Sequence, residues 1–173
     1  MEVRDIVVRN LDQMWGVVER VLEGMTPYEL AKQPGPESNS VGWIVWHMGR
    51  VEDRWMQRIV GDTQLWEEGW AEKMGMPADG MHAGAGMTPE ELADFKTPSV
   101  EQLKGYVAAV REKTAGLMES FRPERLEDEI DAFGGRKMSI GQVFSHVMSE
   151  LNQHAGQAAY VKGLLKGYQG RIV

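Results

Sequence analysis

The chain contains no cysteine. Disulfides, thiolate metal ligands and a cysteine nucleophile are excluded together, and any thiol chemistry needs a thiol brought from outside. No apolar run reaches the roughly 18 residues of a membrane helix. The opening MEVRDIVVRNLDQMW is charged from its second residue and lacks the apolar core of a signal peptide. A cytoplasmic protein without a membrane partner is expected. Positive charge is also in short supply: 19 basic residues face 26 acidic ones, for a net charge of -7 and a pI near 5.2. That balance argues against non-specific binding to nucleic acid or anionic lipid. Internal repeats, low-complexity tracts and linkers are missing too. With 173 residues, 42% of them hydrophobic, a single domain over 1–173 with one core is the expectation.

What is present is helical periodicity. Residues 2–23 place Val3, Ile6, Val7, Leu11, Met14, Val18, Val21 and Leu22 on one face, and Gly24 ends the pattern. Thr26-Pro27 reads as an N-cap and first-turn proline of a short helical turn through Ala31, before Gln33-Pro34-Gly35-Pro36 breaks the chain. Ser38, Asn39 and Ser40 offer caps for a second long helix over 41–60, closed by Gly61. Its stripe is Val41, Ile44, Val45, Met48, Val51, Trp55 and Ile59, widened by Trp43 and Trp46. Glycines and prolines then interrupt residues 62–98, which read as a long connection holding two short helices, one over 63–73 and one capped by Thr88 with Glu91. Connections of this length are often lids or binding loops. A third long helix is predicted over 99–121, then a small hairpin closed by Gly134-Gly135, then a fourth long helix over 139–166 capped by Ser139 with Gln142. Four long helices with a long crossover between the second and third predict an all-α four-helix bundle.

The fourth helix carries an anomaly. Its apolar stripe runs through Ile140, Val143, Phe144, Val147, Leu151, Ala158, Val161 and Leu165, yet Glu150 and His154 point in nearly the same direction. A carboxylate is rarely buried without a partner. Glu150 and His154 stand one turn apart, the spacing of helical metal sites, and His47 on the second helix would complete a two-His, one-carboxylate set if those helices pack together. Such a set has open positions and suits Zn²⁺ or another divalent ion. The plainer alternative is an ordinary hydrogen-bonded Glu/His pair. His146 competes as a ligand, being also four residues from Glu150, but about 12 Å of helix separates it from His154, so an edge histidine or a group backing the ligands is expected. His82 is expected to be a solvated loop residue. Gly84-Ala85-Gly86 follows no predicted strand, which rules out a nucleotide-binding reading. The twelve methionines and six tryptophans read as core filling, with Trp43, Trp46, Trp66 and Trp70 as candidates for a pocket mouth. Arg50, Glu52, Asp53 and Arg54 read as a solvated face on which Arg50 or Arg54 is available to an anionic substrate.

The segments VGWIVWHMGRVEDRWM (41–56) and HVMSELNQHAGQAAYVKGLL (146–165) together resemble the DinB-like superfamily of metal-binding four-helix bundles. That group includes mycothiol-dependent maleylpyruvate isomerase, bacillithiol transferases and many members of unknown function, typically binding zinc or nickel through three side chains. The resemblance assigns His47 and His154, the latter just before Ala155-Gly156-Gln157, as two ligands. The commonest middle ligand is a histidine; Glu150 stands there in this chain, as in the His/Glu/His variant of the mycothiol-dependent isomerase type. Gln157 and His146 would back the ligands, with Trp43, Arg50 and Arg54 toward substrate. The implied activity is S-transfer or isomerisation of a small electrophile, using a divalent metal and a low-molecular-weight thiol. Metal-assisted hydrolysis uses the same residues with water. The rival from another class is a non-catalytic, ligand-binding homodimer, for which the surplus of Trp and Met surface would serve.

Overall fold

The structure, a computed structural model, describes residues 2–167. Its elements follow in order: α1 (Val3–Leu22), α2 (Pro27–Ala31), α3 (Val41–Val60), α4 (Ala71–Lys73), α5 (Pro89–Ala93), α6 (Val100–Ser120), β1 (Glu129–Asp131), β2 (Lys137–Ser139) and α7 (Ile140–Lys166). Local chemistry sets the ends. The Ser40 hydroxyl accepts the Trp43 N–H at the start of α3, and Gly61 closes that helix in the left-handed region at φ 70°. Reciprocal capping boxes start α2 (Thr26/Glu29), α5 (Thr88/Glu91), α6 (Ser99/Gln102) and α7 (Ser139/Gln142). Each satisfies donors that the first helical turn leaves orphaned.

The four long helices form the expected bundle. Around its axis the order is α1, α7, α3, α6, each packing mainly on its two neighbours. Contacts fix the directions. Gly42 faces Thr97, Gly49 faces Tyr106, and Glu52 meets Arg111, so α6 runs parallel to α3. His47 lies by Glu150 and His154 while Trp55 lies by His146, so α7 is antiparallel to α3. Parallel neighbours need a connection that returns along the bundle, which is what the long crossover supplies. The β1–β2 hairpin, paired Glu129 to Ser139 and Asp131 to Lys137, joins α6 to α7.

Helix α3 is the centre of the molecule. Every residue from Val41 to Asp53 is buried, because α6, α7 and the crossover all cover it. The stripe expected for α1 is shifted: Val3 and Ile6 are exposed, while Trp15 and Val17 join the core. Trp15, Trp43, Trp46, Trp55 and Trp66 are all in the core, as core filling predicts, and Trp70 packs against it half-buried.

One sequence expectation is overturned. Arg50, Glu52 and Asp53 form no solvated face; each is 0% exposed. The Arg50 guanidinium donates to Gln64 Oε1 at 2.9 Å and to the carbonyls of Asp79, Gly80 and His82 at 3.1–3.3 Å. Asp53 accepts the N–H groups of Leu65 (3.0 Å) and Trp66 (2.9 Å) and the Tyr106 hydroxyl (2.8 Å). Glu52 accepts from Arg111 and from the Trp15 indole, both at 2.7 Å. Arg50 and Asp53 are bonded to the crossover, whereas Glu52 is held between Trp15 of α1 and Arg111 of α6. The first of the two short crossover helices is irregular. Residues Trp66–Trp70 make a π-turn with Gly69 at φ 118° before α4.

Candidate metal centre

His47, Glu150 and His154 are brought together between α3 and α7. One ligand atom from each lies within 4.8 Å of the other two. His154 Nε2 is 3.4 Å and His47 Nε2 3.9 Å from Glu150 Oε2. A tetrahedral ion with bonds of 2.0–2.1 Å holds its ligands about 3.4 Å apart, so the trio needs only a small contraction to close on one.

The orientation of each imidazole is set from behind. His47 Nδ1 is 2.5 Å from the Ala83 carbonyl, which can only accept, so Nδ1 carries the proton and Nε2 presents a lone pair. His154 Nδ1 lies 2.8 Å from Gln157 Oε1, with the same consequence. A backing acceptor on the far nitrogen is the usual device for fixing a metal-binding histidine. Trp43 stacks on His47 with ring centroids 4.9 Å apart and planes 8° from parallel. Burial pushes the His47 pKa down, with the Ala83 carbonyl opposing, and so favours the neutral ring a metal requires. Among the described residues, the partners of the Glu150 carboxylate are these two imidazoles. Three acceptors therefore converge with no proton between them, an arrangement that a cation completes.

Of the other residues singled out by sequence, Trp43 and Gln157 touch the trio and the rest fall elsewhere. Trp43 is buried against His47, and its indole N–H points to Met87 Sδ at 3.2 Å. Arg50 has no open face through which to meet a substrate, since its hydrogen bonds end on the chain's own acceptors. Arg54 is half-buried and donates to the Met81 carbonyl at 3.0 Å. His146 turns its ring edge-on to Trp55, 5.4 Å away. His82 is exposed on the crossover, 6.0 Å from Trp46. Sequence reasoning missed the Ala83 carbonyl, because a backbone acceptor has no sequence signature. A nearby signal did exist. Gly84, at φ +93°, lies where a Cβ would come within 2.6 Å of Trp43 and 2.9 Å of Trp46. That close approach is what lets residue 83 reach His47.

No helix among the described residues is long and apolar enough to cross a membrane. No curated protein matches the chain significantly. The crystal structure of a conserved protein from Enterococcus faecalis is similar to it over 97% of this chain and 99% of that one, at 28% sequence identity and a TM-score of 0.85. Residues 10–158 match the DinB superfamily, a span that contains α3, the crossover and all three converging ligands. The chain belongs to the DinB superfamily.

Proposed function

We propose that this protein is a divalent-metal-dependent enzyme that directs a low-molecular-weight thiol onto a small electrophile, by S-transfer or isomerisation. His47, Glu150 and His154 would hold the ion, with zinc or nickel favoured by two imidazoles and one carboxylate. The observation that carries the reading is the pair of imidazoles, each tied at Nδ1 to its own acceptor and each turning Nε2 toward one carboxylate. An ion bound there supplies Lewis-acid chemistry, lowering the pKa of a thiol or water at an open position. The chain's own residues do the rest. Trp43 and the buried Ala83–Gly84 backbone shut water out behind His47, while Glu150, with 32% of its side chain exposed, leaves the opposite side open to reactants. With no cysteine in the chain, the thiol has to arrive as a cofactor.

The test is metal analysis of protein purified without an affinity tag, followed by turnover of 1-chloro-2,4-dinitrobenzene with and without added thiol. Near-stoichiometric metal and a rate that requires both metal and thiol are expected, with His47→Ala and His154→Ala inactive. Less than about a tenth of an equivalent of metal, with no thermal shift on adding Zn²⁺ or Ni²⁺, would overturn the metal assignment. Metal-dependent turnover that ignores thiol would replace transfer by hydrolysis.

A further inference from the structure

A cavity distinct from the three converging ligands lies at the C-terminal half of α3. It has a volume of about 750 Å³ and lies between the C-terminal half of α3, residues 81 and 85 of the crossover, the hairpin and the first turns of α7. Its charged lining residues are Arg54, Arg136 and Lys137, with His146 on the α7 wall, and no lining residue is acidic. In a chain with 26 carboxylates and a net charge of -7, a pocket of one positive sign is against the composition.

Arg54 is the cation that most needs a counter-charge. Its Nη1 donates to the Met81 carbonyl, but its Nε–H is buried with no acceptor, and no carboxylate pairs with it among the described residues. Its guanidinium lies 4.0 Å from the Phe133 ring centroid, and that of Arg58 lies over the same ring at 4.6 Å. Two like charges one helical turn apart on a shared ring repel each other. Burial first, and then Arg50 and Arg58, pull the Arg54 pKa down to about 10. Arg136 is exposed at the mouth with no side-chain partner among the described residues, and Lys137 is shared with exposed Asp131 at 3.5 Å. The remaining walls are Gln142 and apolar residues, including Trp55, Phe133 and Met138.

The cavity and the metal centre face the same way. Arg54 follows His47 by two turns of α3, so both side chains leave the helix on one face, about 10 Å apart along its axis. His146 and Glu150 share the facing side of α7 in the same manner. We infer that this cavity binds a carboxylate of the substrate, its oxygens on Arg54 and its apolar body against Trp55 and Phe133, with the reacting atom directed along the shared face of α3 toward His47, Glu150 and His154. The inference rests on the metal reading for the reacting end and narrows the electrophile to a small carboxylate with an apolar body. A guanidinium edge beside apolar walls suits a planar carboxylate, which it can meet with two parallel hydrogen bonds.

Benzoate, its neutral isostere benzamide, and inorganic phosphate are the probes, titrated into the full chain with and without Zn²⁺ and followed by equilibrium dialysis and tryptophan fluorescence. Benzoate is expected to bind in both metal states and benzamide at least about tenfold more weakly, the worth of a charge-assisted hydrogen bond. Arg54→Met, which keeps the packing on Phe133, should weaken benzoate by about tenfold or more. Arg136→Ala, at an exposed position that cannot unfold the chain, should weaken it by roughly two- to threefold and flatten its salt dependence. Equal binding of benzoate and benzamide, or unchanged benzoate affinity in the folded variants, would overturn the inference; if Arg54→Met does not fold, Arg136→Ala and the benzoate–benzamide comparison still decide it. Phosphate displacing benzoate with equal affinity would overturn the carboxylate assignment. Benzoate binding by a protein with no affinity for metal sinks the metal reading and leaves the pocket standing; the reverse result sinks the pocket alone.

Discussion

Two sets of buried polar groups meet on α3 within a turn of each other, and they are built in opposite ways. Around Arg50, Glu52 and Asp53, every carboxylate has donors: Leu65 and Trp66 N–H and the Tyr106 hydroxyl for Asp53, Arg111 and the Trp15 indole for Glu52. Around His47, Glu150 and His154, both imidazole N–H groups point away and three acceptors face one another. In the first set every carboxylate is paired as folded, and the Arg50 Nε–H is left without an acceptor. The second leaves three acceptors facing one another, which an ion could share. On α3, Arg50 and Asp53 fasten the crossover to the bundle, while His47 turns toward two α7 side chains with which it could share an ion.

The contrast is broken most severely by opening the closed set. Asp53→Ala would strand the buried Arg50 guanidinium, which lies 3.7 Å from the Asp53 carboxylate, together with three donors. Removing one partner of a buried ion pair costs about 3–5 kcal/mol. Urea denaturation should show a loss of that size, with the crossover losing hydrogen-exchange protection first. Glu150→Ala in metal-free protein should move stability by less than about 1 kcal/mol, since it takes one acceptor from a set of acceptors. Equal costs for the two variants would mean that the sets do not differ in kind.

The open set is sharpened by filling it. Zn²⁺ or Ni²⁺ at a hundred times its dissociation constant should raise unfolding stability by about 2.7 kcal/mol. Glu150→Gln should remove most of that gain while leaving the metal-free melting temperature in place. A smaller step follows from the backing group. Gln157 is exposed and touches His154 through one hydrogen bond, so Gln157→Ala should lower metal affinity by about tenfold with no change in metal-free stability. An unchanged affinity, read by competition with a chromogenic chelator, would show that His154 needs no orientation.

The same division governs how much was legible in sequence. Periodicity, caps and breakers placed α3 and α7 within a residue of their observed bounds, because Ser40, Gly61 and Ser139 act locally. The trio was legible as an inconsistency, a carboxylate and a histidine on an apolar stripe. The closed set was not. Arg50, Glu52 and Asp53 look like any charged helix face; Arg50 and Asp53 are tied to a crossover whose own pattern is broken by glycine and proline, and Glu52 to side chains of α1 and α6. The run of tryptophans on both sides of α3 was the available sign that the helix has no solvent side. The basic pocket was illegible for a related reason. Arg54 and His146 are visible as residues, but Arg136 and Lys137 reach them only through the fold of the hairpin.

The smallest expected effect calibrates both sets against a charge at the surface. The Glu29 carboxyl is held down at about 2, first by the Thr26 N–H, then by Lys166 at 3.0 Å and by the Thr26 hydroxyl. A carboxyl with a depressed native pKa gives stability that is whole above its unfolded value near 4.5 and is lost as pH falls toward 2. Stability should therefore decline across that window in wild type and decline less in Glu29→Gln. Because the Glu29–Lys166 pair is accessible to salt, part of the difference should vanish at about 1 M NaCl, where screening acts within a few ångströms. The closed set around Asp53 is out of reach of that screening. An acid slope unchanged by Glu29→Gln would place the titrating protons on the other carboxyls held low in the fold, Asp5, Asp62 and Glu101.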